Sequence, residues 1–117
     1  MTPLHERLES ISLLPGVKGA AVFTPDGVLV ASHFRAVDGE ALSAISSQLL
    51  HQLEETESRT GMGVPRRVVV RAVFGALLFR RLEELVLLAA VEPQTDLDSL
   101  WPALEEAAAS MPRMANS

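Results

Sequence analysis

Residues 14–31 constrain the fold more than any other stretch of the chain. Leu14-Pro15-Gly16 ends a helix, because Pro15 cannot continue one and Gly16 accepts the positive φ of a helix terminus. Val17 to Thr24 then reads as a strand, Pro25-Asp26-Gly27 as a turn and Val28 to His33 as a second strand. The turn has a mechanism: proline presets φ, aspartate bonds its own backbone and glycine takes φ > 0. Val28, Val30 and Ser32 alternate with Leu29, Ala31 and His33, so both faces of the second strand are largely apolar, the pattern of a strand covered on both sides.

The flanking segments extend this hairpin into a fold. Thr2-Pro3 is a helix start, and Leu4, Leu8, Ile11 and Leu14 make one apolar stripe down to Pro15. Asp38 caps a long helix over about residues 39–59, with Leu42, Ile45, Leu49 and Leu53 as its apolar stripe and Gly61-Met62-Gly63 as its end. Ser43, Ser47, Glu54 and Glu57 fall on the opposite side of that helix, with His51 and Glu55 flanking the stripe. Three strands follow: residues 64–71, 76–82 and 85–91, the last being the most apolar and therefore central. A final helix starts near Thr95-Asp96 and runs to about Met111, with Leu97, Leu100, Trp101 and Leu104 inward. Pro102 places that start close to its own first turn. The expected architecture is α+β, in the order α-β-β-α-β-β-β-α. A five-stranded antiparallel sheet carries helices on both faces, in a single domain over residues 1–117 with a frayed tail from about 112.

Composition limits what such a domain does. It has no cysteine, hence no disulfide, thiolate metal site or cysteine nucleophile. The net charge of −5 opposes general nucleic-acid binding. Charge near the N-terminus and apolar runs no longer than Leu85 to Val91 argue against a signal peptide or membrane insertion, which leaves the cytoplasm as the expected location. His5, His33 and His51 lie on different elements at spacings unlike a metal motif, Ser10, Ser46 and Ser47 lack a nucleophile context, and Gly61-Met62-Gly63 precedes a strand rather than a helix. No catalytic, cofactor-binding or metal-binding residue is assigned, and the chain is expected not to be an enzyme.

The arginines concentrate on two adjacent strands. With the turn at Phe74-Gly75, Val69 pairs with Arg80 and Arg71 with Leu78, so Arg67, Arg71 and Arg80 share one face while Arg66 and Arg81 occupy the other. Guanidinium groups on a sheet face need partners or water. Either they pair with Glu54, Glu55 or Glu57 of the long helix, or they form a surface for an anionic partner. The run Arg67-Val68-Val69-Val70-Arg71 is also a template for strand pairing if it lies at the sheet edge. A two-fold axis there, with Ala41, Ala44 and Ser47 of the long helix meeting a symmetry mate, predicts a homodimer.

The ordered set of Leu14-Pro15-Gly16-Val17, Gly19-Ala20-Ala21-Val22, Asp26-Gly27, the long second helix, the Arg-rich strand, Leu77-Leu78-Phe79-Arg80-Arg81-Leu82 and Leu85 to Ala90 resembles the roadblock/dynein light chain family. The resemblance implies a sheet of order 2-1-5-4-3, with the long helix on one face and both terminal helices on the other. It also implies dimerisation through the third strand and second helix, and, for bacterial members, non-enzymatic regulation or scaffolding of a small Ras-like GTPase. Glu40, Ser43, Ser47, His51 and Glu55 are the helix positions expected to meet that partner. A small-molecule-binding sensory or dimerisation domain is the alternative. It would require a pocket with convergent polar groups.

Overall fold

The computed structural model describes residues 3–34, 38–61, 66–73 and 75–115, with side chains as far as Met111. The order is α1 (Pro3–Ser12), β1 (Val17–Phe23), β2 (Leu29–Phe34), α2 (Gly39–Thr60), β3 (Arg67–Ala72), β4 (Gly75–Arg81), β5 (Val86–Val91) and α3 (Leu97–Ala115). The strands form one antiparallel sheet in the order β2-β1-β5-β4-β3. All six residues of β5 are buried, as a central strand between two neighbours requires.

Local chemistry sets the boundaries. Pro3 opens α1, while the Thr2 cap expected there lies outside the described residues, as do Met62 and Gly63. Gly16 takes φ +85°, and a Cβ there would overlap the Thr95 side chain, so both conformation and space demand glycine. In the β1–β2 turn the Gly27 amide donates to the Thr24 carbonyl (2.9 Å) and the Thr24 hydroxyl donates to Asp26 Oδ1 (2.5 Å). Asp38 Oδ1 accepts from the amides of Glu40 and Ala41 at 3.1 and 3.2 Å, an N-cap, and Gly61 closes α2 in the left-handed conformation.

Three expectations are corrected. In the β3–β4 hairpin Ala72 pairs with Gly75, Val69 with Leu78 and Arg67 with Arg80, two residues away from the predicted register. The connection spans only residues 73 and 74, which tightens the hairpin. An even shift leaves every side chain on its expected face. β2 is an edge strand whose two faces are only partly covered by α1 and α2, with Val28 and Val30 exposed. Finally, α3 begins at Leu97 and Pro102 sits in its second turn rather than its first. Pro102 is exposed, as is Asp98, whose carbonyl would have accepted the missing amide bond. The α3 backbone also continues to Ala115, past the expected fraying point, whereas residues 116 and 117 lie outside the described residues.

The sheet separates two apolar layers. On one face α1 and α3 cover Val17, Ala20, Val22, Ala76, Leu78, Leu87, Ala89 and Val91. On the other, α2 lies over Phe23, Phe79, Val86 and Leu88.

Candidate interaction surface

α2 meets its sheet through small residues. Ser43, Ser46 and Leu50 are its buried positions, whereas Ile45 keeps 63% of its surface exposed. The N-terminal turn approaches β2 closely enough that a Cβ on Gly39 would stand 3.1 Å from Ser32 Oγ. The hydroxyls of Ser43 and Ser46 have no hydrogen-bond partner, so small size, not polarity, places them there. Ser43 therefore does not lie on the outward side, and it cannot reach a partner protein.

The apolar stripe is consequently tilted, with Leu42, Leu49 and Leu53 partly buried against the α2-face cluster and Ile45 standing clear of it. Leu42, Ile45 and Leu49 stand at i, i+3 and i+7 on one side of α2. Leu42 lines an apolar groove of about 220 Å³ with Val70, Ala72, Gly75 and Leu77. Beyond that groove β3 is the edge of the sheet, paired with β4 on one side only. Val68, Val70, Leu77, Leu42, Leu49 and Leu53 are all only partly buried here. Ala41, Ala44, Glu40, His51 and Glu55 are exposed on α2. His51 Nε2 stands 3.3 Å from Glu55 Oε1. Ser47 is half-buried and its hydroxyl donates to the Pro25 carbonyl at 2.8 Å, fastening α2 to the β1–β2 turn.

The arginines have other partners than expected. Arg67 and Arg80 lie on the α1–α3 face, where their Nε atoms donate to Glu105 Oε1 of α3 at 3.0 and 2.7 Å. Arg67 also stacks 4.8 Å from the centre of the Trp101 ring. Burial pushes the Glu105 carboxyl up, but the hydrogen bonds and charges of Arg80 and Arg67 outweigh it and hold that carboxyl below its ordinary value. None of Arg67, Arg71 and Arg80 pairs with Glu54, Glu55 or Glu57 among the described residues; Glu54 pairs instead with Arg81, on the α2 face. Periodicity shows which arginines share a face, and nothing in it chooses between helices on the two sides. Arg66 and Arg71 are exposed and make no ion pair among the described residues.

A cavity of about 430 Å³ opens between Leu14–Gly16 and the start of α3. Its Thr95, Asp96 and Ser99 side chains are engaged in local structure. The Thr95 hydroxyl donates to the Glu92 carbonyl at 2.9 Å. The Ser99 hydroxyl donates to Asp96 Oδ2 at 2.7 Å, and hydrogen bonds from Ser99 hold the Asp96 carboxyl below its ordinary value. No described helix is long and apolar enough to cross a membrane.

The sequence profile of the Roadblock/LC7 domain matches residues 4–92. The chain belongs to the Roadblock/LC7 family. Uncharacterized protein MJ1340 of Methanocaldococcus jannaschii is 26% identical over 100 residues, covering 85% of this chain and 88% of that protein. A Roadblock/LC7 domain from Streptomyces avermitilis superposes with a TM-score of 0.86 at 18% identity, over 97% of this chain and 98% of that one. Myxococcus xanthus MglB superposes with a TM-score of 0.87 at 12% identity, over 97% and 94%. At such identities the structures establish a common fold. The Roadblock/LC7 sheet order and the distribution of helices over its faces agree with what the resemblance implied.

Proposed function

We propose that this Roadblock/LC7 chain is a non-enzymatic interaction module that associates with a second copy of itself through β3 and α2. The paired long helices then bind a small Ras-like GTPase, which the module regulates or scaffolds. The supporting observation is the half-covered α2 face. An apolar stripe led by Ile45 stands beside an apolar groove and an unpaired edge strand. Exposed valine-rich edges invite strand pairing, and a second α2 laid along Leu42, Ile45 and Leu49 would cover the groove in the same step. Arg67, Val68, Val69, Val70 and Arg71 form the strand half of that contact, with Ala41 and Ala44 at the helix margin and Ser47 occupied by the β1–β2 turn. The GTPase reading comes from the family resemblance and from the acidic outer stripe of α2, Glu40, His51 and Glu55. It includes no catalytic residue. Any effect on hydrolysis would act by arranging the GTPase's own loops, since an arginine supplied in trans is only one route.

The test is capture from lysate of the source organism, loaded in parallel with a non-hydrolysable GTP analogue or GDP, followed by mass spectrometry. The expected result is a Ras-sized GTPase retained in one nucleotide state and lost with Glu55→Lys. Retention of no GTPase in either state would refute the partner assignment.

A further inference from the structure

Two of the three histidines, far apart in sequence, meet where α1 crosses the edge strand β2. His5 and Glu9 lie at i and i+4 on α1, which places them side by side on one helix face. His33 of β2 stands on the face that α1 covers, next to the Ala31 side chain that joins the α1–α3 core. Glu9 Oε1 lies 3.9 Å from both His5 Nε2 and His33 Nδ1, and the two imidazole rings meet edge to face at 6.0 Å. One ligand atom from each residue falls within 4.8 Å of the other two. The three histidines lie on different elements, as expected, and the fold brings His5 and His33 together.

We propose that His5, Glu9 and His33 form a binding site for a zinc-type divalent ion. Two imidazoles and one carboxylate are a zinc donor set, with a fourth position left for water. Zinc–ligand bonds of about 2.0–2.2 Å place tetrahedral ligand atoms roughly 3.3 Å apart, so an ion would draw Glu9 toward each histidine by about half an ångström and the two imidazole nitrogens together by up to about 1.5 Å. Each side chain is about one-third exposed (36% for His5, 38% for Glu9, 34% for His33), which gives the ion access and the side chains room to rotate. Two nitrogen donors select zinc, nickel or copper over magnesium and calcium, which take oxygen ligands. The ion would bridge α1 to the open edge of the sheet, stabilising the native state by mass action. His51 and Glu55 supply an internal contrast. They form the same i, i+4 pair at 3.3 Å but are more than half exposed and are joined to no third ligand among the described residues.

The test uses the untagged, chelator-treated full chain, with zinc chloride and magnesium chloride titrated in separate thermal-denaturation series. Zinc at about a hundredfold over its dissociation constant is expected to raise Tm by several degrees, and magnesium to leave it unchanged. The zinc shift should disappear in His33→Ala and in Glu9→Gln and persist in His51→Ala. Titration calorimetry should give one zinc per chain in the parent protein, and at least a tenfold weaker affinity in His5→Gln even if His33→Ala fails to fold. Absence of a zinc shift in the parent protein, or a shift that survives both His5→Gln and Glu9→Gln, would overturn the assignment.

Discussion

The two faces of the sheet are built to different degrees of completion. On the α1–α3 face, eighteen apolar residues of the described chain are buried and four more are partly buried around them. On the α2 face only seven are buried, Ala21 and Ala90 among them, and seven remain partly covered. Two helices close the first face, and the ion pairs of Arg67 and Arg80 with Glu105 extend that closure out to the edge strand β3. A single helix lies on the second, seated on Ser43, Ser46 and Leu50, with Leu42, Leu49 and Leu53 only partly buried and Ile45 exposed. The second is the face through which we propose that the chain associates with another copy.

Paired truncations probe that difference most strongly. Leu8 is fully buried on the α1–α3 face, and Leu8→Ala should cost about 2–5 kcal/mol by urea unfolding at any protein concentration. Leu53 is only partly buried on the α2 face, so Leu53→Ala should cost about 1 kcal/mol in dilute protein and more as concentration rises, because association is linked to stability. Equal, concentration-independent costs would erase the contrast between the faces.

A smaller effect tests how the closed face is sealed. Glu105→Gln should lower stability at pH 7 by about 1 kcal/mol, since the pairs are charge-assisted but partly solvated. The sign with pH follows from the depressed carboxyl. Its contribution is fully present above the ordinary glutamate value and is lost as pH falls through the lower folded-state value. Unfolding midpoints of parent and variant should therefore converge in acid. A gap that stays constant down to pH 3 would show that the carboxylate charge does not matter.

Much of this was legible in the sequence, because its punctuation is local. Pro15-Gly16, Pro25-Asp26-Gly27, Asp38 and Gly61 each act within a few residues, and the elements between them fall where expected. The face on which each arginine lies also followed from strand alternation, which survives an even register shift. The rotation of α2 did not follow. A leucine and isoleucine stripe is the natural guess for an inward side, and only the close approach of α2 to β2 explains why Ser43 and Ser46 occupy that place. The meeting of His5 with His33 was equally hidden, since it depends on where α1 crosses β2 and no spacing records that crossing. For the proposed interface the consequence is specific. Ile45, read from the sequence as core, becomes its most informative residue.

The central claim is that the α2 face is completed by a second copy, and sedimentation equilibrium of the untagged chain and of Ile45→Glu tests it directly. The parent chain should sediment at twice its 12.6 kDa mass in the micromolar range. Ile45→Glu should sediment as a monomer with an unchanged circular dichroism spectrum. A parent chain that stays at 12.6 kDa throughout, or an Ile45→Glu variant that remains dimeric, would contradict the account.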